Sequence, residues 1–142
     1  MDIPRIIEGG KYTDERGVLF YNNDFVLQNI RRIYCLENTD TELIRGWTGH
    51  KIERRWFSAI CGSFILRLIK INDWENPAED SDILEFELNA DKLDVLYIPA
   101  GYASAIQANE RNSKLMIMVD HLLGEVEDDY RFQINYFKKI LR

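Results

Sequence analysis

Short runs of β-forming residues, separated by polar turns, constrain the fold of this chain more than any other feature of its sequence. The run 64–71 is almost continuously apolar, as expected for a strand that is covered on both faces. The run 83–88 alternates apolar and acidic residues, which gives it one apolar face. Turns such as 12–17 and 61–63 separate the runs at intervals of about 8 to 12 residues. The pattern predicts an all-β domain built as a jelly roll or barrel.

The segment 128–142 differs from these runs in the spacing of its apolar residues. Phe132, Tyr136 and Ile140 recur every four residues, which places them on one face of a helix. We therefore expect a short C-terminal helix that packs against the β-domain.

Length and composition limit the classes of protein to which the chain can belong. With 142 residues, of which 46% are hydrophobic, it is expected to form one domain over residues 1–142. It has no apolar run of the ~18 residues that a membrane-spanning helix needs, so we expect no membrane partner. Its first residues lack the hydrophobic stretch of a secretion signal, which makes the cytoplasm the expected compartment. The net charge of −6 argues against a nucleic-acid partner, because contacts with phosphates dominate that affinity.

Basic residues are concentrated in the first half of the chain in spite of the net negative charge. The arginines in question are Arg31, Arg32, Arg45, Arg54 and Arg55. They either form a local site for a small anion or are solvated charges on strand faces. The sequence leaves both alternatives open.

Only two histidines are present, His50 and His121. Catalytic metal sites need about three converging histidine or carboxylate ligands, so we expect neither a metal nor another cofactor. His50 is either a satisfied structural side chain or a general acid or base, with Tyr34 or Tyr102 as its partner. His121 is expected to be structural.

Trp47 lies in the same segment as His50 and has two possible roles. An indole ring can stack on a sugar or a base. A β-barrel interior also needs large apolar side chains, and this alternative is equally open.

A series of short motifs runs along nearly the whole chain. They are residues 14–19, 30–34, 45–51, 62–63, 97–101, 128–130 and 135–137. In this order and spacing the chain resembles the nucleotide-sugar 3,4-ketoisomerases of the cupin superfamily. That group includes the WxcM-like proteins and is related to the dTDP-4-dehydrorhamnose 3,5-epimerases.

This resemblance implies a cupin jelly roll, a homodimer that often exchanges N-terminal strands, and a metal-independent isomerase or epimerase. The implied ligand is a dTDP-linked 4-keto-6-deoxyhexose used in cell-surface polysaccharide synthesis. A base removes the C3 proton beside the C4 ketone, an enediol forms, and an acid returns a proton. The resemblance also implies that Arg16 and Arg45 lie near the sugar and the phosphates.

The chain departs from the family at the central motif. The family has His-Ala-His after the Arg-Gly turn, whereas this chain has Thr48, Gly49 and His50. Either His50 works with Tyr34 and an ordered water, or the chain binds a nucleotide sugar without catalysis, alone or beside an active paralogue. The candidate catalytic residues are His50, Tyr34 and Thr48. The candidate substrate-binding residues are Arg16, Arg32, Arg45, Trp47, Arg55 and Tyr102.

Overall fold

The structure, a computed structural model, describes residues 2–138 and consists of β-strands joined by turns and loops. Twelve strands lie within this range. They are β1 (Arg5–Ile7), β2 (Gly10–Asp14), β3 (Gly17–Tyr21), β4 (Arg32–Asn38), β5 (Ile44–His50), β6 (Arg55–Cys61), β7 (Ser63–Lys70), β8 (Leu84–Asn89), β9 (Val95–Ile98), β10 (Tyr102–Ala108), β11 (Ser113–Val119) and β12 (Tyr130–Arg131). The same residues contain no helix long and apolar enough to cross a membrane.

Ten of these strands form two five-stranded antiparallel sheets. The first sheet has the order β1-β9-β6-β11-β4 and the second has the order β12-β5-β10-β7-β8. From β4 to β7, and again from β8 to β11, each strand lies in the other sheet from the strand before it, as in a jelly roll. Strands β2 and β3 form a separate two-stranded hairpin. The prediction of an all-β jelly roll is confirmed.

The main hydrophobic core lies between the two large sheets. Phe64, Leu66 and Leu68 alternate along β7 and are fully buried in one cluster with Leu96 and Leu115 of the first sheet. Burial of each such side chain contributes roughly 1.5 to 3 kcal/mol to stability. This core fixes the spacing of the sheets and therefore the width of any cavity between them.

A second apolar cluster covers the outer face of the second sheet. Trp47 of β5 and Ile69 of β7 pack there with Phe137 from the C-terminal segment. The rings of Trp47 and Phe137 meet edge to face, with centroids 5.4 Å apart. Strand β7 is thus covered on both faces, as its continuous apolar run predicts.

The C-terminal segment is extended where it meets β5, so the predicted C-terminal helix is wrong for the described residues. Strand β12 pairs with Thr48 and Gly49 of β5. Phe132 continues this pairing by exchanging two backbone hydrogen bonds with Trp47, of 3.0 and 3.1 Å. The aromatic residues that suggested a helix instead cover the sheet, because the hydrogen bonds to β5 hold the backbone in an extended conformation. The end of the predicted helix, including Ile140, lies outside the described residues.

A β-bulge in β5 determines which of its side chains face the space between the sheets. Thr48 pairs with Ser104 of β10, whereas Arg45 pairs with Ile106, so β5 has one extra residue between these pairs. The extra residue turns Arg45 to the same face as Thr48 and His50. At the bulge, a Cβ atom on Gly46 would lie 2.8 Å from the Cα atom of Ala105, so glycine is required there.

Candidate active site

A cavity of about 540 Å³ opens between the sheets, beside β4, β5 and β6. This volume lies in the range of about 300 to 1,000 Å³ that is typical of small-molecule sites. Six predicted site residues with polar side chains line it, namely Arg32, Tyr34, Arg45, Thr48, His50 and Arg55. The fold therefore gathers residues from β4 and β6 of the first sheet and from β5 of the second sheet around one cavity.

His50 lies at the end of β5, and the exposed fraction of its side chain is 13%. Its Nδ1 atom is 2.9 Å from the backbone carbonyl oxygen of Asp128. Because a carbonyl oxygen can only accept, the hydrogen-bond network assigns the proton of the neutral ring to Nδ1. The Nε2 atom is then left with a free lone pair, which is the form that a general base needs.

The surroundings of His50 favour this neutral form. Burial lowers the pKa of His50 below its usual value of 6.5, and the positive charge of Arg55 lowers it further. The hydrogen bond to Asp128 and the charges of Glu53 and Asp128 act in the opposite direction and are weaker. His50 is therefore unprotonated over a wider pH range than a free imidazole.

The buried carboxylate of Asp128 holds the turn that follows His50. Its Oδ1 atom accepts the backbone N–H of Lys51 at 2.7 Å. Its Oδ2 atom accepts the backbone N–H groups of Ile52 at 2.9 Å and Glu53 at 2.7 Å. This one side chain therefore fixes the connection between β5 and β6, and with it the position of the imidazole.

Glu53 and Arg55 form a buried ion pair beside the imidazole. The Nη2 atom of Arg55 donates to Oε1 of Glu53 at 2.7 Å, and both side chains are at most 10% exposed. Arg32 adds a second cation, whose Nη2 atom lies 3.6 Å from Oε2 of Glu53. The carboxylate is therefore compensated on both sides, as a buried charge requires.

Within residues 2–138, one group of side chains has the arrangement of possible metal ligands: His50, Glu53 and Asp128, whose ligand atoms lie within 4.8 Å of one another. Both oxygens of Asp128 already accept backbone N–H groups. Glu53 is paired with Arg55 and Arg32, and these cations supply the positive charge that a metal would bring. The donor set therefore suits a hydrogen-bonded network better than a metal ion. The expectation of a metal-free site remains a prediction.

Tyr34 lies on β4, where 40% of its surface is exposed. Its phenol oxygen accepts a hydrogen bond of 2.7 Å from Nη1 of Arg55. The guanidinium of Arg32 lies over its ring, 5.6 Å from the centroid. The phenol is therefore held by cations at the same cavity that His50 lines.

Arg45 reaches the cavity from the bulge of β5 and is anchored by neighbours on β4. Its Nε atom donates to the side-chain oxygen of Asn38 at 2.6 Å, and its Nη2 atom donates to the carbonyl oxygen of Glu37 at 3.0 Å. Both acceptors are neutral amide oxygens. The positive charge of Arg45 is therefore available to an anionic ligand.

Three other predicted binding residues either lie away from this cavity or border it with a buried side chain. Arg16 lies in the turn between β2 and β3, is paired with Asp14 at 2.7 Å, and borders a separate shallow pocket. Tyr102 is 7% exposed and belongs to the core between the sheets. Trp47 borders the cavity but is only 1% exposed, because its ring packs against Phe137. Arg16 and Tyr102 are therefore not among the residues that line the cavity, and Trp47 borders it with a buried ring; their roles in binding remain predictions.

Sequence reasoning missed Glu53 and Asp128 as site residues. Glu53 follows His50 by three residues and precedes two arginines, which is a recognisable signal of a charged network. Asp128 is part of a motif, yet nothing in the sequence shows that its carboxylate closes a turn 75 to 77 positions earlier.

The fold matches those of several solved sugar-nucleotide enzymes. A dTDP-4-dehydrorhamnose 3,5-epimerase from Bacillus anthracis has a TM-score of 0.74 and 14% identity, covering 93% of this chain and 79% of that one. A mutant of the 3,4-ketoisomerase QdtA from Thermoanaerobacterium thermosaccharolyticum, in complex with TDP-4-keto-6-deoxyglucose, has a TM-score of 0.71 and 23% identity, covering 96% and 93%. The TDP-quinovose 3,4-ketoisomerase WlaRB from Campylobacter jejuni has a TM-score of 0.64 and 20% identity, covering 92% and 95%. At these identities the similarity shows a shared fold.

Comparison of sequences gives the family. A search of curated proteins finds no match. The family model FdtA, described as WxcM-like, C-terminal, matches residues 2–142. Because this match spans nearly the entire sequence, the chain belongs to the FdtA family of WxcM-like, C-terminal proteins.

Proposed function

We propose that the protein isomerises or epimerises a dTDP-linked 4-keto-6-deoxyhexose through an enediol, in the synthesis of a cell-surface polysaccharide. The observation that carries this proposal is an imidazole, His50, that lines a cavity together with arginines and whose Nδ1 atom is hydrogen-bonded to the carbonyl oxygen of Asp128. Membership of the FdtA family and the dTDP-sugar enzymes among its structural neighbours support the choice of substrate.

The chemistry begins with the proton on C3, which the adjacent C4 ketone makes acidic. Nε2 of His50 takes this proton, the C3–H electron pair forms a C3=C4 double bond, and the carbonyl electrons move to O4. Arginine side chains stabilise the negative charge that develops on O4. Tyr34 acts as the acid for this oxygen, and the hydroxyl of Thr48 serves as a hydrogen-bonding group where the family has its first histidine.

Anionic parts of the ligand are matched by the cations around the cavity. Arg45 has no carboxylate partner in its hydrogen bonds, so it is the best candidate to bind the diphosphate. Arg32 and Arg55 lie deeper and are suited to the sugar oxygens. Trp47 and Tyr102 then act as packing that shapes the walls rather than as stacking platforms.

A homodimer is part of the proposal, because the β2–β3 hairpin is exposed and apolar. Tyr12, Leu19 and Phe20 are 59%, 62% and 45% exposed. The hairpin forms a sheet of only two strands, and such a unit is marginally stable in water without further cover. A second copy of the chain would cover it and would bring Arg16, at its turn, towards the partner's cavity.

The dimer is tested by measuring molar mass in solution by light scattering during gel filtration. We expect the protein to have twice the mass of one chain, and Leu19→Glu to dissociate it. Leu84→Glu, at an exposed position on β8, is the matched control and should remain dimeric. A monomeric wild-type protein would remove both the dimer and the role of Arg16.

The reaction is tested by incubating the protein with a thymidine-diphosphate 4-keto-6-deoxyhexose in deuterated water. We expect solvent deuterium at C3 or C4, detected by NMR and mass spectrometry, because the proton on His50 can exchange with solvent. Binding of the nucleotide sugar without any deuterium uptake or isomerised product would instead support a non-catalytic binding protein. Absence of both binding and uptake would reject the substrate class.

A further inference from the structure

The guanidinium of Arg55 lies between the two groups to which the proposed reaction assigns proton transfer. Its Nη1 atom donates to the phenol oxygen of Tyr34 at 2.7 Å. Its Nη2 atom lies 3.5 Å from Nδ1 of His50 and donates to Glu53 at 2.7 Å. One planar cation therefore contacts the phenol, the imidazole and the buried carboxylate at once.

We infer that Arg55 is a positioning residue that couples the His50 base to the Tyr34 acid, and so compensates for the first motif histidine that Thr48 replaces. This inference rests on the proposed isomerase function. It assigns the carbon-bound protons to His50 and the oxygen-bound protons to Tyr34.

The hydrogen bond from Arg55 sets the direction of the Tyr34 hydroxyl. Because the phenol oxygen accepts from Nη1, its own hydrogen must be donated to a different acceptor. Tyr34 is partly exposed at the cavity, so a ligand oxygen is the acceptor that this arrangement favours. When the proton has left, the phenolate is stabilised by the guanidinium that it already contacts.

The position of Arg55 is itself fixed by charge and burial. Glu53 accepts from its Nη2 atom, and the side chains of both residues are at least nine-tenths buried. The Nε atoms of Arg55 and Arg32 are also buried and have no acceptor among the described residues. Because these Nε atoms are closed off from the cavity, Arg55 faces the site with its Nη atoms and stays fixed beside Glu53.

The protons and electrons balance when the two groups divide the work. His50 takes the C3 proton, and the electron pair forms the C3=C4 bond while O4 receives a proton from Tyr34. The Tyr34 phenolate then takes the proton of the C3 hydroxyl, whose oxygen forms the new C3 carbonyl. The double-bond electrons take a proton at C4 from the His50 imidazolium, which restores both side chains.

The charge of Arg55 also acts directly on His50. The charged groups that face the ring are Glu53 on the turn after β5, Arg55 on β6 and Asp128 before β12. Of these, Arg55 lowers the pKa of His50, whereas the two carboxylates raise it. Loss of the Arg55 charge therefore moves the protonation of His50 to higher pH, an effect that a purely structural residue would not produce.

A double-mutant cycle with Tyr34→Phe and Arg55→Gln tests the coupling. We expect each single variant to lower kcat for ketosugar isomerisation by about 10² to 10³-fold, with the affinity for TDP little changed. Because both changes interrupt the same proton path, the double variant should lose no more than about threefold beyond the less active single variant. The acidic limb of kcat/KM should move to higher pH in Arg55→Gln.

Arg54→Gln is the matched control, because Arg54 pairs with Asp120 and is not among the cavity-lining residues. It should leave kcat and the acidic limb unchanged. Losses that multiply in the double variant, or an acidic limb that stays in place in Arg55→Gln, would overturn the inference.

If Arg55→Gln fails to fold, Arg55→Lys replaces it. Lysine keeps the positive charge, so the acidic limb should stay in place. Its single ammonium group cannot reproduce the paired hydrogen bonds to Tyr34 and Glu53, so kcat should still fall, and an unchanged kcat overturns the inference.

If the wild-type protein binds TDP but shows neither deuterium uptake nor product, the proposed function fails and the inference fails with it. An active wild type with uncoupled variants refutes the inference alone.

Discussion

His50→Asn is expected to lower the uptake of deuterium at C3 by about 10² to 10⁴-fold, the usual contribution of a general base. Asparagine keeps a polar group at the end of β5 but has no basic lone pair at the position of Nε2. The hydrogen bond to the carbonyl of Asp128 can still be made by the amide, so the fold should persist. Binding of TDP, measured by calorimetry, should therefore change little.

The second histidine provides the control for this experiment. His121 contacts Asp120, with Nδ1 2.7 Å from Oδ1, and is not among the cavity-lining residues. His121→Asn should leave deuterium uptake within about twofold of the wild type. If His50→Asn retained full uptake, the base would have to be another group and the proposed mechanism would be rejected.

Local patterns in the sequence were enough to predict the class of fold and much of the site. Alternating and continuous apolar runs such as 64–71 report burial directly, because side chains alternate across a strand. The motif at 45–51 brought Arg45, Thr48 and His50 into consideration, and the structure places all three at the cavity. Such predictions succeed where one short segment contains the whole signal.

The remaining features depend on contacts between distant segments. The bulge that turns Arg45 to the cavity is a mismatch in pairing between β5 and β10, which no single segment records. The C-terminal helix was predicted wrongly because aromatic spacing suits both a helix and a sheet cover, and pairing with β5 decides between them. The arginines that follow Glu53 were a local signal, but the contact between Glu53 and Arg32 of β4 requires the folded sheet.

The contact between Asp128 and the distant turn at 51–53 can be tested by measuring the free energy of unfolding. Asp128→Ala is expected to lower the free energy of unfolding by about 3 to 5 kcal/mol, since hydrogen bonds to a charged group contribute about 1.5 to 3 kcal/mol each. The backbone N–H groups of Lys51, Ile52 and Glu53 all lose their acceptor, and that of Glu53 is buried. Urea unfolding followed by tryptophan fluorescence measures the loss.

The neighbouring Asp129 makes this a controlled comparison. Its side chain is 56% exposed and contacts Arg131, so Asp129→Ala should change the unfolding free energy by less than about 0.5 kcal/mol. This turn directly follows His50, so Asp128→Ala should also reduce deuterium uptake under conditions in which the variant remains folded. Equal unfolding midpoints for the two variants would show that the turn is held by other contacts. The carboxylate would then have no part in placing the imidazole.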